Sequence, residues 1–484
     1  GEGGQAGIHE SDTTPQKEAA PVQPYNTAHL WHLSTLPVCE TDCSLPSTCV
    51  DTGTCRCVLA EYCPGFSAPV FGRPRPRHIE DVMLPGPRQV GRRWPNIHVL
   101  TMPDGLMPNN SERCFQLRTK HCYSADHIMY TALRTVSVDP KDADLFIVPY
   151  YHACKDWYPK FTHDLYNITV AIREEALEQV REWDPQGKRL VWVMMHDWGA
   201  CGHFAWNMEQ LVRLGQSAQM DPVATAFSIL QANGDFSVNC HLPHKDVVIP
   251  SRTCNANRLY QLFGNPSKIR PVLERTTMIF FAGSPWAKAT GNTLRTRLRC
   301  EGMFPKDMTT RIEKTIDKVT YLEMLNNAKF CLAPRGTTGF TDRLQDAIYV
   351  GCIPVLLSDG THFPFADILD YRLFSIRIAE ADLPSLPQRL RAVTDRELES
   401  MQGHLLAVRE AFFYALDDDP YTELTREGSP TDLAMRSLYM RLSTWYVPKP
   451  SGGQKQTAPA SAEAAAEEEE EEDQKLVVER DFPN

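Results

Sequence analysis

Apolar runs alternate with amphipathic stretches along most of this chain, and their spacing predicts an α/β protein built on parallel strands. Ile97–Leu100, Leu145–Val148 and Leu190–Met195 read as buried strands, with helices over Asp126–Thr135 and Thr169–Trp183 between them. In the second of these helices Ala171, Leu177 and Val180 would face inward, with Arg173, Glu174, Glu175 and Glu178 outward. A second series begins near Val247–Pro250. It runs through a strand at Met278–Ala282, a helix bearing Arg295, Arg297 and Arg299, and a helix over Tyr321–Ala328. Gln388–Ala415 reads as mostly helical and Thr431–Trp445 as a last helix. The pattern divides the chain into a lobe over 96–246 and another over 247–450. Residues 1–38 lack apolar periodicity and read as a flexible stem, 66–95 as a Pro/Arg-rich linker, and 451–484 as a disordered acidic tail.

The stretch Lys329–Asp359 is the most informative. Phe330–Ala333 is a short apolar strand closed by Pro334; Arg335-Gly336-Thr337-Thr338-Gly339 is a turn; Phe340–Val350 has helical spacing; Gly351 ends that helix before the strand Ile353–Leu357. A strand, glycine loop, helix and strand in series make a βαβ unit with parallel strands. Such a loop can leave backbone N–H groups pointing at an anion, where the helix dipole adds about 0.3–1 kcal/mol. A charge-assisted hydrogen bond from Arg335 or Arg343 is worth about 1.5–3 kcal/mol, so the arginines would dominate. Asp346, three residues beyond Arg343, could accept from a sugar hydroxyl. Diphosphate plus ribose spells a nucleotide-linked donor. The plainer reading is an ordinary βα loop with Arg343 and Asp346 as a surface pair, since short glycine motifs have low specificity.

Composition adds limits. The 484 residues suffice for two or three domains, with 42% hydrophobic and 23% charged residues. Net charge is −11, of which residues 451–484 carry −7 through ten acidic and three basic side chains, including the run Glu467–Glu472. The remaining −4 leaves no basic field for nucleic acid. No run of 18 apolar residues spans a bilayer. The opening GEGGQAG is consistent with an anchor lying upstream of this chain.

Six cysteines, Cys39, Cys43, Cys49, Cys55, Cys57 and Cys63, fall within a segment too short to bury a core, which points to disulfides. A metal cluster is the alternative, but no histidine lies among them and the spacing is poor for zinc. Sequons at Asn109 and Asn167 agree with an oxidising lumen. Conceivable further pairs are Cys114–Cys122, Cys154–Cys201 and Cys240–Cys254. Cys331 and Cys352, flanking the glycine loop, read as free small hydrophobes. With Cys300 the total is 15, so at least one thiol is unpaired or intermolecular.

At FCLAPRG and GCIPVLLSD the chain resembles the exostosin-like glycosyltransferases of family 47, and DADLFIVPYY, VWVMMHDWG, KDVVIP and MIFFAGS agree over about Trp94–Val447. The resemblance implies a GT-B fold, with two Rossmann-like lobes around a cleft, and a UDP-sugar donor. It implies inversion at the anomeric carbon, as for the family's glucuronosyl, galactosyl, xylosyl and arabinosyl transferases. Arg335, Gly336, Thr337, Thr338, Arg343, Asp346 and Ser284 would bind the donor; many members carry Glu where this chain has Asp346. The last helix would cross back to the first lobe. The N-terminal cysteines resemble an EGF-like module, whose connectivity would be Cys39–Cys49, Cys43–Cys55 and Cys57–Cys63. The expected setting is the Golgi lumen, as a type II membrane protein with its anchor outside this chain, or secretion. A glycan or glycoprotein would be the acceptor.

The expected base lies beyond Leu190–Met195, at His196 or Asp197, because ligands of open parallel sheets bind past the strands' carboxyl ends. Tyr150, Tyr151 and His152 end the preceding strand in the same way. Asp197 is the first choice and His196 the alternative; a buried turn pair is the bland reading of both. No metal or cofactor is expected: the Asp-x-Asp strings Asp142–Asp144 and Asp417–Asp419 are badly placed, one before a strand and one at a helix end. Two rivals remain, a glycan-binding or adhesion protein that keeps the fold without catalysis, and a glycoside hydrolase, which would need facing carboxylates and no nucleotide.

Overall fold

The computed structural model describes residues 38–39, 47–49, 55–57, 78–84, 94–106, 124–151, 165–195, 197–205, 218–220, 226–283, 293–299, 303–313, 315–336, 338–416 and 420–445. Three short strands, β1 (Val38–Cys39), β2 (Ser47–Cys49) and β3 (Cys55–Cys57), form an antiparallel sheet in the order β1-β3-β2. The pairings expected among Cys39, Cys43, Cys49, Cys55, Cys57 and Cys63 fall on side chains outside those described, as do Asn109, Cys114, Cys122, Cys154 and Cys300.

Two parallel five-stranded sheets follow. The first holds β4 (Ile97–Val99), β5 (Leu145–Val148), β6 (Leu190–Met194), β7 (Ser228–Gln231) and β8 (Val247–Val248), side by side in chain order. The second holds β9 (Thr277–Ala282), β10 (Thr310–Glu313), β11 (Ala328–Pro334), β12 (Ile353–Leu357) and β13 (Ile376–Arg377). Its order is β10-β9-β11-β12-β13, with every pairing parallel. Only the second sheet reverses direction, in the flavodoxin-like arrangement. The expected boundary at 247 is corrected by β8, which pairs with β7 and belongs to the first sheet.

The helices that cover these sheets include α1 (Ala125–Arg134), α2 (Leu165–Val180), α3 (Cys201–Phe204), α4 (Ala256–Phe263), α5 (Thr293–Arg297), α6 (Lys318–Asn327) and α7 (Asp342–Tyr349). Beyond them come α8 (Leu386–Arg391), α9 (Asp395–Val408), α10 (Pro420–Thr425) and α11 (Pro430–Trp445). Helix α9 opens on a capping box, Thr394 with Glu397, which satisfies two otherwise orphaned N–H groups. On α2 the buried stripe is Ile168, Ile172, Ala176 and Val180, one residue every four; Ala171 and Leu177, expected inward, are half-buried at its margins. That stripe packs on Phe146, Val148, Trp192, Met194 and Ile229 from β5, β6 and β7. Truncating one such aliphatic side chain to alanine costs about 2–5 kcal/mol.

The opposite faces of both sheets meet in one continuous core. Ile147, Val191, Val193 and Leu230 join Ile279, Phe281, Phe330, Leu332, Val355 and Ile376 there, together with Leu433 and Leu438 of α11. Backbone pairs also stitch the loops after β7 and β12: the Phe236 N–H donates to the Gly360 carbonyl at 3.0 Å, and the His362 N–H to the Gly234 carbonyl at 2.9 Å. His241 and His362 share a hydrogen bond at 2.9 Å across the same seam. In α11, Arg441 donates to the Pro243 carbonyl and pairs with Asp367 at 3.1 Å.

Two disulfides correct the cysteine reading. Cys201 pairs with Cys240, which removes both the Cys154–Cys201 and the Cys240–Cys254 pairings; Cys254 is itself disulfide-bonded. Cys331 and Cys352, expected as free thiols, are bonded to each other. The register explains this: Phe330 of β11 lies beside Ile353 of β12, so Cys331 and Cys352 are diagonal neighbours within bridging reach.

Candidate active site

The second sheet reverses between β9 and β11, and such a switch point leaves a crevice beyond the strands' carboxyl ends. Strand β9 ends there at Ala282–Gly283 and β11 at Pro334–Arg335. From α7, Arg343 reaches back so that Nε donates to the Ala282 carbonyl, while its guanidinium lies 5.6 Å from the Phe281 ring centre. A Cβ on residue 283 would stand 2.7 Å from Arg343 Nη2, so glycine there leaves the arginine its place. On α5, Arg295 donates from Nε to the Arg335 carbonyl at 3.0 Å and from Nη2 to the Pro334 carbonyl at 3.3 Å. It also lies 5.9 Å from the Phe281 centre. Burial, helped by the neighbouring Arg343 charge, lowers Arg295 to about 10, so it stays cationic at neutrality.

Arg335 is one-quarter exposed and approaches Asp235 at 3.7 Å and Glu380 at 3.8 Å. Three guanidinium groups thus converge on one crevice, two of them over one phenylalanine. The sequence reading names Arg335 and Arg343; it leaves Arg295 as one of three possibilities. Arg297 is exposed and donates to the Glu380 carbonyl at 3.4 Å.

The glycine loop is tied down rather than open. The Arg335 N–H donates to the Leu357 carbonyl and the Gly336 N–H to the Thr338 carbonyl, both at 2.9 Å. Thr338 is buried and its Oγ1 accepts from the Phe340 N–H at 3.3 Å. The Gly336 amide expected to cradle an anion is therefore spent within the loop, and the arginines carry what the crevice offers. Thr337, Ser284 and His196 lie outside the described residues.

Asp346, expected to contact a ribose hydroxyl, has protein donors around its carboxylate. It is buried, and its carboxylate accepts from Thr253 Oγ1 at 2.5 Å, Asn255 Nδ2 at 2.8 Å and the Tyr321 hydroxyl at 3.0 Å. Burial raises its pKa against the pull of these donors. It joins α7 to α6 and to the segment that leads into α4.

One turn earlier on α7 stands Asp342, which the sequence reading missed. It is partly buried, and Oδ1 accepts from Ser251 Oγ at 2.8 Å. Burial first, then the Asp346 and Asp197 carboxylates, push Asp342 up to about 7, while the Ser251 hydrogen bond and Arg343 oppose the rise. The Cys254 sulfur lies 3.8 Å from Oδ2, but it is disulfide-bonded and has no proton to give. The Thr-Asp pair at 341–342 looks in sequence like a routine helix start, so burial is the signal it lacks.

Asp197, beyond β6, is exposed and lies within electrostatic reach of Asp342. Next to it Gly199 adopts φ 52°, in the left-handed region suited to glycine, and the Ala200 N–H donates to Gln231 Oε1 at 2.7 Å. The Cys201–Cys240 bond packs with Trp198 and fastens this loop to the one after β7. Tyr150 and Tyr151, beyond the end of β5, are buried: the Tyr150 hydroxyl bonds His203 Nδ1 at 3.1 Å, and Tyr151 packs on Tyr130. Asp144 accepts from the Asn96 N–H at 2.6 Å at the amino end of β5, away from the crevice. Among the described residues, no three His, Cys, Asp or Glu side chains are grouped to hold a metal ion. No described helix is long and apolar enough to cross a membrane.

Residues 91–393 match the exostosin GT47 domain. The chain is similar to a probable glycosyltransferase of Arabidopsis thaliana, 34% identical over 172 residues, 35% of this chain and 31% of that protein. A probable glucuronosyltransferase of Oryza sativa subsp. japonica is 26% identical over 302 residues, 58% of this chain and 65% of the relative. A probable glucuronoxylan glucuronosyltransferase of Arabidopsis thaliana is 24% identical over 352 residues, 69% of each. The chain spans less than two thirds of the length of the first two. The family match covers well over half of the 484 residues, and the chain belongs to the exostosin GT47 family.

Proposed function

We propose that this protein is an inverting glycosyltransferase that moves a sugar from a UDP-sugar to a glycan or glycoprotein acceptor. The observation that carries this is the convergence of Arg295, Arg335 and Arg343 at the switch point of the second sheet. A diphosphate needs two negative charges matched in a half-dry crevice, and planar guanidinium groups do this with two donors each. In this reading the two sheets are the lobes of a GT-B enzyme, donor on the second and acceptor against the loops of the first. Asp197 there lies within electrostatic reach of Asp342 on the second lobe.

The phosphates are held by arginines rather than by a divalent cation, so transfer persists in EDTA; activity lost in EDTA and restored by manganese would contradict this. Two disulfides support an oxidising compartment, consistent with work in the Golgi lumen or outside the cell. The named test is a screen of UDP-sugars for transfer or hydrolysis, starting with UDP-glucuronic acid because two relatives are named for glucuronosyl transfer. UDP binding with turnover of one donor supports the reading. A chain that binds glycan but not UDP would be the inactive adhesion module instead.

A further inference from the structure

We propose that Asp342, at the first position of α7, is the group that receives the acceptor's proton, with Asp197 acting on it across the cleft. This rests on the glycosyltransferase reading above and names a residue within the same site. Three placements lead to it. Asp342 lies within electrostatic reach of Arg343, whose guanidinium sits at the switch point, so its carboxyl is near the space a donor diphosphate would occupy. Ser251, which follows β8 of the first sheet, holds Oδ1 at 2.8 Å and so aims the group from the acceptor side. Among the described residues Oδ2 meets only the proton-less Cys254 sulfur, which leaves one oxygen ready for an incoming hydroxyl.

The neighbouring carboxylates are weaker candidates. Asp346 spends its carboxylate on three donors. Asp197 is exposed on the loop beyond β6, whereas Asp342 is partly buried and aimed by its hydrogen bond from Ser251. Asp342, raised to about 7, is matched to the task.

The step balances simply. The acceptor hydroxyl oxygen bonds to the anomeric carbon from the side opposite the phosphate. The carbon–oxygen bond to the β-phosphate breaks and UDP leaves with that electron pair, held by the arginines. The hydroxyl proton passes to Asp342 Oδ2 and from there to solvent. The nearby Asp197 carboxylate is one of the groups that raise Asp342 and so keep it basic.

The test compares Asp342→Asn, Asp197→Asn and Ser251→Ala in the full chain, with UDP titration and a pH profile of kcat/KM for each. Asp342→Asn should lower kcat by about 100-fold or more while UDP affinity stays within about twofold. Asp197→Asn should lose less than about tenfold, with the acidic limb displaced to lower pH. Ser251→Ala should displace that limb to higher pH, because the hydrogen bond that favours the charged form is gone, and it serves if Asp342→Asn does not fold. Near-normal turnover in Asp342→Asn, or a limb that Ser251→Ala leaves in place, overturns the assignment. Wild-type protein that neither binds UDP nor turns over a UDP-sugar would overturn the function itself, an outcome distinct from a base located elsewhere.

Discussion

The two large sheets contain the same number of parallel strands yet differ in order, and charged side chains gather differently beyond their ends. Strands of the first lie in chain order; those of the second reverse between β9 and β11. At the reversal stand Arg295, Arg335 and Arg343. Beyond the matching ends of the first sheet stand Asp197, whose loop is held by the Cys201–Cys240 bond and by Gln231, and Asn233, which accepts from the Asp235 N–H. Under the proposed function an anion would be drawn to the arginine side and a hydroxyl acceptor to the other, with the Arg335–Asp235 pair at 3.7 Å between them. Strand order makes the crevice, and side-chain charge decides what enters it.

Several substitutions would break or sharpen this contrast. The largest effect belongs to Asp346→Ala, which strands the Thr253, Asn255 and Tyr321 donors in a buried site. A loss of about 3 kcal/mol or more is expected in urea unfolding, with UDP affinity of the folded fraction unchanged. A folded, stable variant that has lost UDP would instead return Asp346 to the donor site. Next comes Gly234→Ala, whose Cβ would collide with the His362 carbonyl where the two halves are stitched. It should cost about 1–3 kcal/mol, whereas Gly105→Ala, with nothing near its Cβ, should be close to neutral.

A smaller effect separates the two sides by pH. Asp342 titrates near 7 in the folded protein and near the ordinary 3.8 when unfolded. The neutral carboxyl is the one folding favours, so stability from this group is full below pH 3.8 and is lost as pH rises toward 7. Asp342→Asn should thus raise the melting temperature at pH 8 by a few degrees and change it little at pH 4. Equal shifts at both pH values would mean the carboxyl is solvated. The smallest effect is Arg335→Ala. Arg335 already shares its charge with Asp235 and Glu380 at 3.7 and 3.8 Å and is one-quarter exposed. UDP binding should weaken by about fivefold or less, as titration would report.

Much of the second sheet was legible because its strands are unmixed apolar runs: Ile353–Leu357 appears with the predicted ends, as does Leu145–Val148 in the first sheet. Strand β10 was not foreseen because an edge strand reading Thr-Arg-Ile-Glu carries little apolar signal. β7 ends on Gln231, buried and bonded to the Cys240 carbonyl, a polar residue that sequence pattern assigns to a loop. The arginines were readable because charge beside a glycine loop has few uses. Asp342 and the burial of Asp346 were not, since their hydrogen-bond partners Ser251, Thr253 and Asn255 come from a distant part of the chain. Sequence spacing placed Asp346 on the accessible surface, and tertiary contacts put it inside.

The central claim is that the reversal in the second sheet is a diphosphate site held by Arg343. Calorimetric titration of UDP into wild-type and Arg343→Ala protein tests it most directly, with melting temperatures as the control for folding. About tenfold or more loss of affinity, at least 1.4 kcal/mol, is expected in a variant that melts within a few degrees of the parent. A folded Arg343→Ala protein that binds UDP as tightly as wild type would contradict it.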